Sequence, residues 1–102
     1  MEAVQCPNWR EKVVYSAAGP QPQILLENDQ LRVLIAGLEP GQIIPQHPAP
    51  LGVYHVLEGK GWIKVDAERC PVGPGATVIA PSGSARGIEA ETRLAFLATR
   101  VA

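Results

Sequence analysis

GQIIPQHPAPLGVYHVLEG, residues 41–59, carries two histidines, His47 and His55, on either side of a stretch of small and apolar residues. Its second half, Gly52 to Glu58, is a short apolar run with alternating character, and it stops at the turn residues Glu58 to Gly61. A period of two points to a strand, and the glycines beside it to a tight reversal. The same grammar extends outward along the chain. The runs at 12–17, 22–28, 30–38, 61–66, 76–81 and 92–102 are rich in Val, Ile, Leu, Thr or aromatics. Turn signals at 27–29, 39–41, 71–75 and 81–84 separate them. Ten glycines and ten prolines punctuate the whole chain instead of gathering in one linker. Short strands at even spacing predict an all-β sandwich or barrel. No stretch keeps a helical period with caps; the one helical turn expected lies near residues 8–12, with Asn8 as its cap.

The 102 residues make one domain, residues 1–102, with an N-terminal arm over residues 1–12. A chain of this size buries roughly 60–70% of its unfolded surface. The hydrophobic fraction of 46% argues against disorder. A net charge of −1 with no Lys/Arg cluster argues against nucleic acid as a partner. No apolar run approaches the roughly 20 residues of a membrane helix. The N-terminal residues MEAVQCPNWREK lack the basic and apolar regions of a secretory signal. The two cysteines, Cys6 and Cys70, form no disulfide framework, so two reduced thiols in a cytoplasm are expected.

In residues 30–38, Leu31, Val33 and Ile35 share one face, and Leu34, Ala36 and Leu38 take the other. In residues 92–102, Leu94, Phe96 and Ala98 oppose Ala95, Leu97 and Val101. Strands apolar on both faces are covered on both sides. One face fills a barrel, and a homodimer through the outer sheet is the expected cover for the other.

The turn spacing has a further order. Gly41, His47 and Gly59 fall at the spacing of one motif, and Gly75, Pro81 and Gly83 at that of a second. Over roughly residues 30–100 this pattern resembles the cupin family, small double-stranded β-helix (jelly-roll) barrels. The resemblance implies an all-β jelly roll with turns at Gly59, Gly61, Gly75 and Gly83, where glycine takes positive φ without strain. It also implies a metal site of three histidines and a glutamate. At those positions this chain has His47, Ala49, Gly52 and Arg86. One imidazole does not satisfy a transition metal, which takes three or four N, O or S donors. A guanidinium has no lone pair to give and stays charged. No cofactor is therefore expected, with His47 and His55 as the fallback pair for a metal.

Alternation that places Gly52 inward also places Tyr54, Val56 and Glu58 inward and turns Val53, His55 and Leu57 outward. His47 shares a face with Ile43, Pro45 and Ala49, which puts it in the barrel mouth; a solvated rim histidine is the competing reading. Arg86 points inward by its motif position, or lies on the surface just past a turn. Losing two ligand side chains empties space between apolar walls such as Ile43, Val56 and Val78. The expected ligand-binding set is His47, Tyr54, Val56, Val78 and Arg86, and the expected ligand a small molecule, an anionic carboxylate or phosphate gripped by Arg86. Glu58 is the alternative partner for that arginine. Two other functions fit the same residues. One is a metal-independent isomerase or lyase, with His47 as acid or base and Arg86 stabilising charge. The other is a metal-dependent oxygenase using His47 and His55.

Overall fold

The computed structural model describes residues 2–102. Nine strands follow a single 3-10 turn at Trp9–Glu11, which Asn8 caps by accepting a 3.1 Å hydrogen bond from the Arg10 backbone N–H. The strands are β1 (Gln23–Glu27), β2 (Leu31–Leu38), β3 (Ile43–Pro48), β4 (Gly52–Glu58), β5 (Gly61–Val65), β6 (Glu68–Val72), β7 (Thr77–Ala80), β8 (Ala85–Ala90) and β9 (Leu94–Val101). They form two antiparallel sheets, β1-β2-β9-β4-β7 and β3-β8-β5-β6. The all-β architecture expected from the turn spacing is what the chain adopts.

Period-two alternation builds the interior. Leu34, Ala98, Tyr54 and Val78 are cross-strand partners in one row, and Ala36, Phe96 and Val56 form the next. Ile44, Ile88 and Ile63 make the facing row of the second sheet. These rows meet in one apolar core. Burying each of the large side chains contributes about 1.5–3 kcal/mol. Among the described residues no helix is long and apolar enough to cross a membrane, and Cys6 and Cys70 are free thiols.

Four local expectations need correction. Residues 12–17 are not a strand but the end of an extended arm, whose Tyr15 and Val13 lie over Gly37 of β2. The turn expected over 71–75 starts later: β5 and β6 form a hairpin, β6 runs to Val72, and Pro71 sits on it at the sheet edge, where a missing N–H is tolerated. Gly61 has no positive φ; it is required because a Cβ there would fall 2.1 Å from the Glu89 carbonyl oxygen. Finally, β3 does not keep simple alternation. Its pairing with β8 slips between Ile44 and His47, so both face the interior while Ile43 is 54% exposed. The bulge fits because Gly87 lies beneath it: a Cβ there would stand 2.6 Å from the Ile44 oxygen and 2.9 Å from the Gln46 nitrogen.

Candidate functional site

Between the sheets lies a cavity of about 250 Å³. Its apolar walls come from Leu34, Ile44, Ile88, Phe96 and Ala98, with Ile24 of the edge strand beside them. Its polar lining includes Arg32, His47, Tyr54, Arg86 and Arg100, with Thr99 beside them. They concentrate at one end. Arg32, Arg100 and Gly52 are cross-strand partners in a single row, and His47 pairs with Arg86 across β3 and β8. Among the described residues no aspartate or glutamate lines the cavity.

Arg86 is the largest fully buried side chain, 1% exposed. Its partners are not carboxylates. Nη1 donates to the Pro50 carbonyl at 2.6 Å, and Nη2 to those of Ala49 at 3.0 Å and Pro81 at 2.8 Å. Nε donates to the Ser84 carbonyl at 3.0 Å, and Nη2 also to the Ser84 hydroxyl at 3.0 Å. One of the two Nη1 hydrogens is left over. The arginine thus ties the β3–β4 loop to the β7–β8 turn. The expectation that it grips an anion with a full fork is corrected by these carbonyls, which occupy most of it. Glu58 is not its partner either: the β4–β9 register slips between Val56 and Glu58, and that carboxylate turns to the arm, where Tyr15 donates to it at 3.1 Å and Arg10 at 3.3 Å.

Gly52 makes room for the guanidinium. A Cβ on it would stand 3.0 Å from Arg86 Nη1, 3.2 Å from Tyr54 Cε2 and 3.5 Å from Tyr54 Oη. Tyr54 is 7% exposed, its ring centroid 6.0 Å from that of Phe96. Its hydroxyl has no hydrogen bond to any described residue and faces the cavity, so it is not a sealed polar atom.

His47 is an exposed residue at the cavity rim. Its Nδ1 lies 3.1 Å from the Pro45 carbonyl, which assigns the proton to Nδ1. Nε2 then accepts from Arg100 Nη2 at 3.4 Å. The Pro45 carbonyl orients this ring, but among the described residues no carboxylate stands behind it to stabilise an imidazolium. With most of the Arg86 donors on carbonyls, the isomerase or lyase arrangement lacks its free charge stabiliser.

His55 faces away from this cavity, on the outer side of β4, and its Nδ1 lies 2.9 Å from Thr77 Oγ1. His47 and His55 are therefore not brought together. Among the described residues no group of three His, Cys, Asp or Glu side chains converges. The donor set does not fit a transition metal: Ala49 and Gly52 offer no ligand, and a fixed cation fills the space beside them. Val56 is sealed in the core and Val78 borders a separate surface cleft, so neither belongs to the cavity wall. Trp62 lies outward on β5 under the guanidinium of Arg69, 3.9 Å away.

Two residues of the site escaped the sequence reading, Arg32 and Arg100. The signal was present. Arg32 continues the inward row of Leu34, Ala36 and Leu38, and Arg100 that of Leu94, Phe96 and Ala98.

Two antiparallel sheets closed over an apolar cavity with a polar rim define a double-stranded β-helix barrel. The chain matches the cupin domain over residues 34–99 and belongs to that family. Similar solved structures share the fold at low identity. A conserved protein of unknown function from Streptococcus pyogenes is 22% identical, with 99% of this chain and 90% of that one covered and a TM-score of 0.87. An RmlC-like cupin from Desulfovibrio desulfuricans is 23% identical, with 97% of each chain covered and a TM-score of 0.86. A predicted oxalate decarboxylase from Thermotoga maritima is 24% identical, with 80% and 79% covered and a TM-score of 0.75. No curated protein matches.

Proposed function

We propose that this cupin binds a small organic anion in its barrel without a transition metal. The observation that supports the reading is the charge of the cavity lining: three guanidiniums, an imidazole and a phenol, with no carboxylate among the described residues. Arg100 makes no ion pair with a described residue. Cationic groups at the rim of an apolar cavity select a ligand with an acid head and an apolar body. The head sits at the end marked by His47 and Arg100, and the body lies on Leu34, Ile88 and Phe96. Arg86 supports the site chiefly by holding its loops, with one N–H left for the ligand. A second copy of the chain against the outer sheet, and a cytoplasmic location, belong to the same proposal.

Thermal denaturation with benzoate and hexanoate, against benzamide and hexanamide, tests it. A ligand at one hundred times its dissociation constant adds about 2.7 kcal/mol of stability. The carboxylates are expected to stabilise and the amides not to. Equal shifts from both series remove the anion. A near-stoichiometric transition metal in protein purified without chelator removes the metal-free half.

A further inference from the structure

Granting that the barrel binds an organic anion, the shape of its polar end narrows the ligand. We propose that the ligand is a 2-hydroxy or 2-oxo carboxylic acid with an apolar side chain. Its carboxylate rests on Arg32 and Arg100, and its second oxygen accepts from Tyr54.

The two arginines are Cα partners in the β2–β9 ladder and line the same cavity. Like charges directly opposite on a sheet repel. Arg32 is only partly compensated, because its Nε is committed to Glu27, and Glu27 does not line this cavity. Arg100 makes no ion pair with a described residue, and its one side-chain hydrogen bond is to His47 Nε2. An anion between the two forks relieves the repulsion and supplies the carboxylate partner that Arg100 lacks.

The next position across the ladder from Arg100 is Gly52. With no side chain there, the Tyr54 hydroxyl and Arg86 Nη1 hang over the same point, 3.5 Å and 3.0 Å from where a Cβ would be. The tyrosine is more than nine-tenths buried, and its hydroxyl has no protein partner. A hydroxyl that opens into a cavity without a protein partner is free to donate to whatever fills it. The leftover N–H of Arg86 Nη1 is free in the same way. The head of the ligand thus meets donors on two sides, guanidinium forks along the Arg32–Arg100 row and a phenol with one N–H beside it. A plain carboxylate satisfies only the first set. An oxygen on the adjacent carbon satisfies the second while the rest of the molecule descends onto Leu34, Ala98 and Phe96. The cavity of about 250 Å³ restricts that body to the size of a ring or a short branched chain.

The test is calorimetric titration with 3-phenyllactate, phenylpyruvate, 3-phenylpropionate and inorganic phosphate. The wild type is expected to bind the two oxygen-bearing acids about tenfold more tightly than 3-phenylpropionate, the worth of one good hydrogen bond. In Tyr54→Phe that preference collapses to within about twofold, with 3-phenylpropionate itself little changed. In Arg100→Gln all three acids weaken by at least about tenfold, as loss of a charge-assisted pair predicts. The ligand-free melting temperature of Arg100→Gln holds or rises, because a repulsive neighbour of Arg32 is gone. Arg100→Lys restores part of the affinity, which separates charge from a folding defect. Equal binding of the three acids by the wild type, or a preference that survives Tyr54→Phe, overturns this assignment and leaves the anion reading standing. Tighter binding of inorganic phosphate than of any acid overturns the carboxylate class. If phosphate and every acid fail to bind, the anion reading falls with it.

Discussion

A guanidinium withdrawn from water needs its hydrogens satisfied, and Arg86 meets that need with carbonyls from two proline-containing segments, Ala49–Pro50 and Pro81–Ser84. The Ala49 and Pro81 carbonyls also accept from the Gly83 and Ser84 backbone N–H groups, at 2.8 and 3.1 Å, and the Pro50 and Ser84 carbonyls are left to the guanidinium, so these segments offer acceptors at the point where the metal ligands of related barrels are expected. Arg86→Met removes the donors and strands two carbonyls, those of Pro50 and Ser84, because Ala49 and Pro81 keep backbone N–H partners. Each unsatisfied buried acceptor costs about 1–3 kcal/mol. The expected loss is about 2–6 kcal/mol in urea denaturation, the sum for two such acceptors. An unchanged urea midpoint would show that the guanidinium is not the tie between the loops. Gly52→Ala presses a methyl group on Arg86 Nη1 and Tyr54 Cε2, at 3.0 and 3.2 Å. It is expected to cost about 1–3 kcal/mol, as overpacking does. At this scale the sequence was partly legible. The type of residue at 47, 49, 52 and 86 could be read against the metal motif. The hydrogen-bond partners of Arg86 could not, because loop carbonyls carry no side-chain signature.

Elements were read best where alternation runs unbroken. β2, β4 and β9 announce themselves through apolar residues at every second position, and the turns before β2 and after β4 through Asn28 and Gly59. β3 defeated the count because its bulge lets Ile44 and His47 share a face three residues apart. β6 was hidden by Cys70-Pro71, a pair that looks like a turn when its edge position is unknown. The arm was hidden for a different reason: Val13, Val14 and Tyr15 have strand propensity, but they pack across a sheet instead of joining it. Its lock is visible only in three dimensions. Tyr15 donates to Glu58, and the Arg93 guanidinium stacks 4.3 Å from its ring centroid. Burial, then the hydrogen bond to Glu58 and its charge, push the Tyr15 phenol up from 10.0 to about 12. Below pH 10 the phenol is neutral in the folded and the unfolded chain, so its contribution to stability is fully present. As pH rises from 10 towards 12 the unfolded phenol ionises first, and the contribution is lost across that window. Tyr15→Phe should lack this loss. The difference in urea midpoint between the two proteins is expected to shrink from below pH 10 to near 12, and a constant difference would dissociate Tyr15 from the alkaline behaviour.

At the scale of the whole molecule, the interior accounts for only one face of the five-stranded sheet. On its other face Val33, Thr99, Val53 and Ile79 are cross-strand partners in one row, with Ile35, Leu97, His55 and Thr77 in the next. The arm covers this surface at Gly37, and Ile79 at the far edge is 63% exposed. The apolar alternation on both faces of β2 and β9 was plain in the sequence; which part the chain covers for itself was not. Our proposal is that a second copy covers the rest, each subunit presenting the same rows to its partner. Such an isologous contact places every residue of the patch in the interface twice, so one substitution introduces two charges. Ile79→Glu is therefore expected to break the dimer while leaving the monomer folded, since its side chain touches solvent already and a surface change costs within about 0.5 kcal/mol. Sedimentation equilibrium on the wild type and the variant reads this directly. The wild type should sediment with twice the chain mass and the variant with the chain mass. Binding of an acid in the barrel should survive the substitution, because all the cationic and phenolic groups at the cavity come from one chain. A wild type that stays monomeric at high concentration would leave the outer rows unexplained by self-association and remove the dimer from the account.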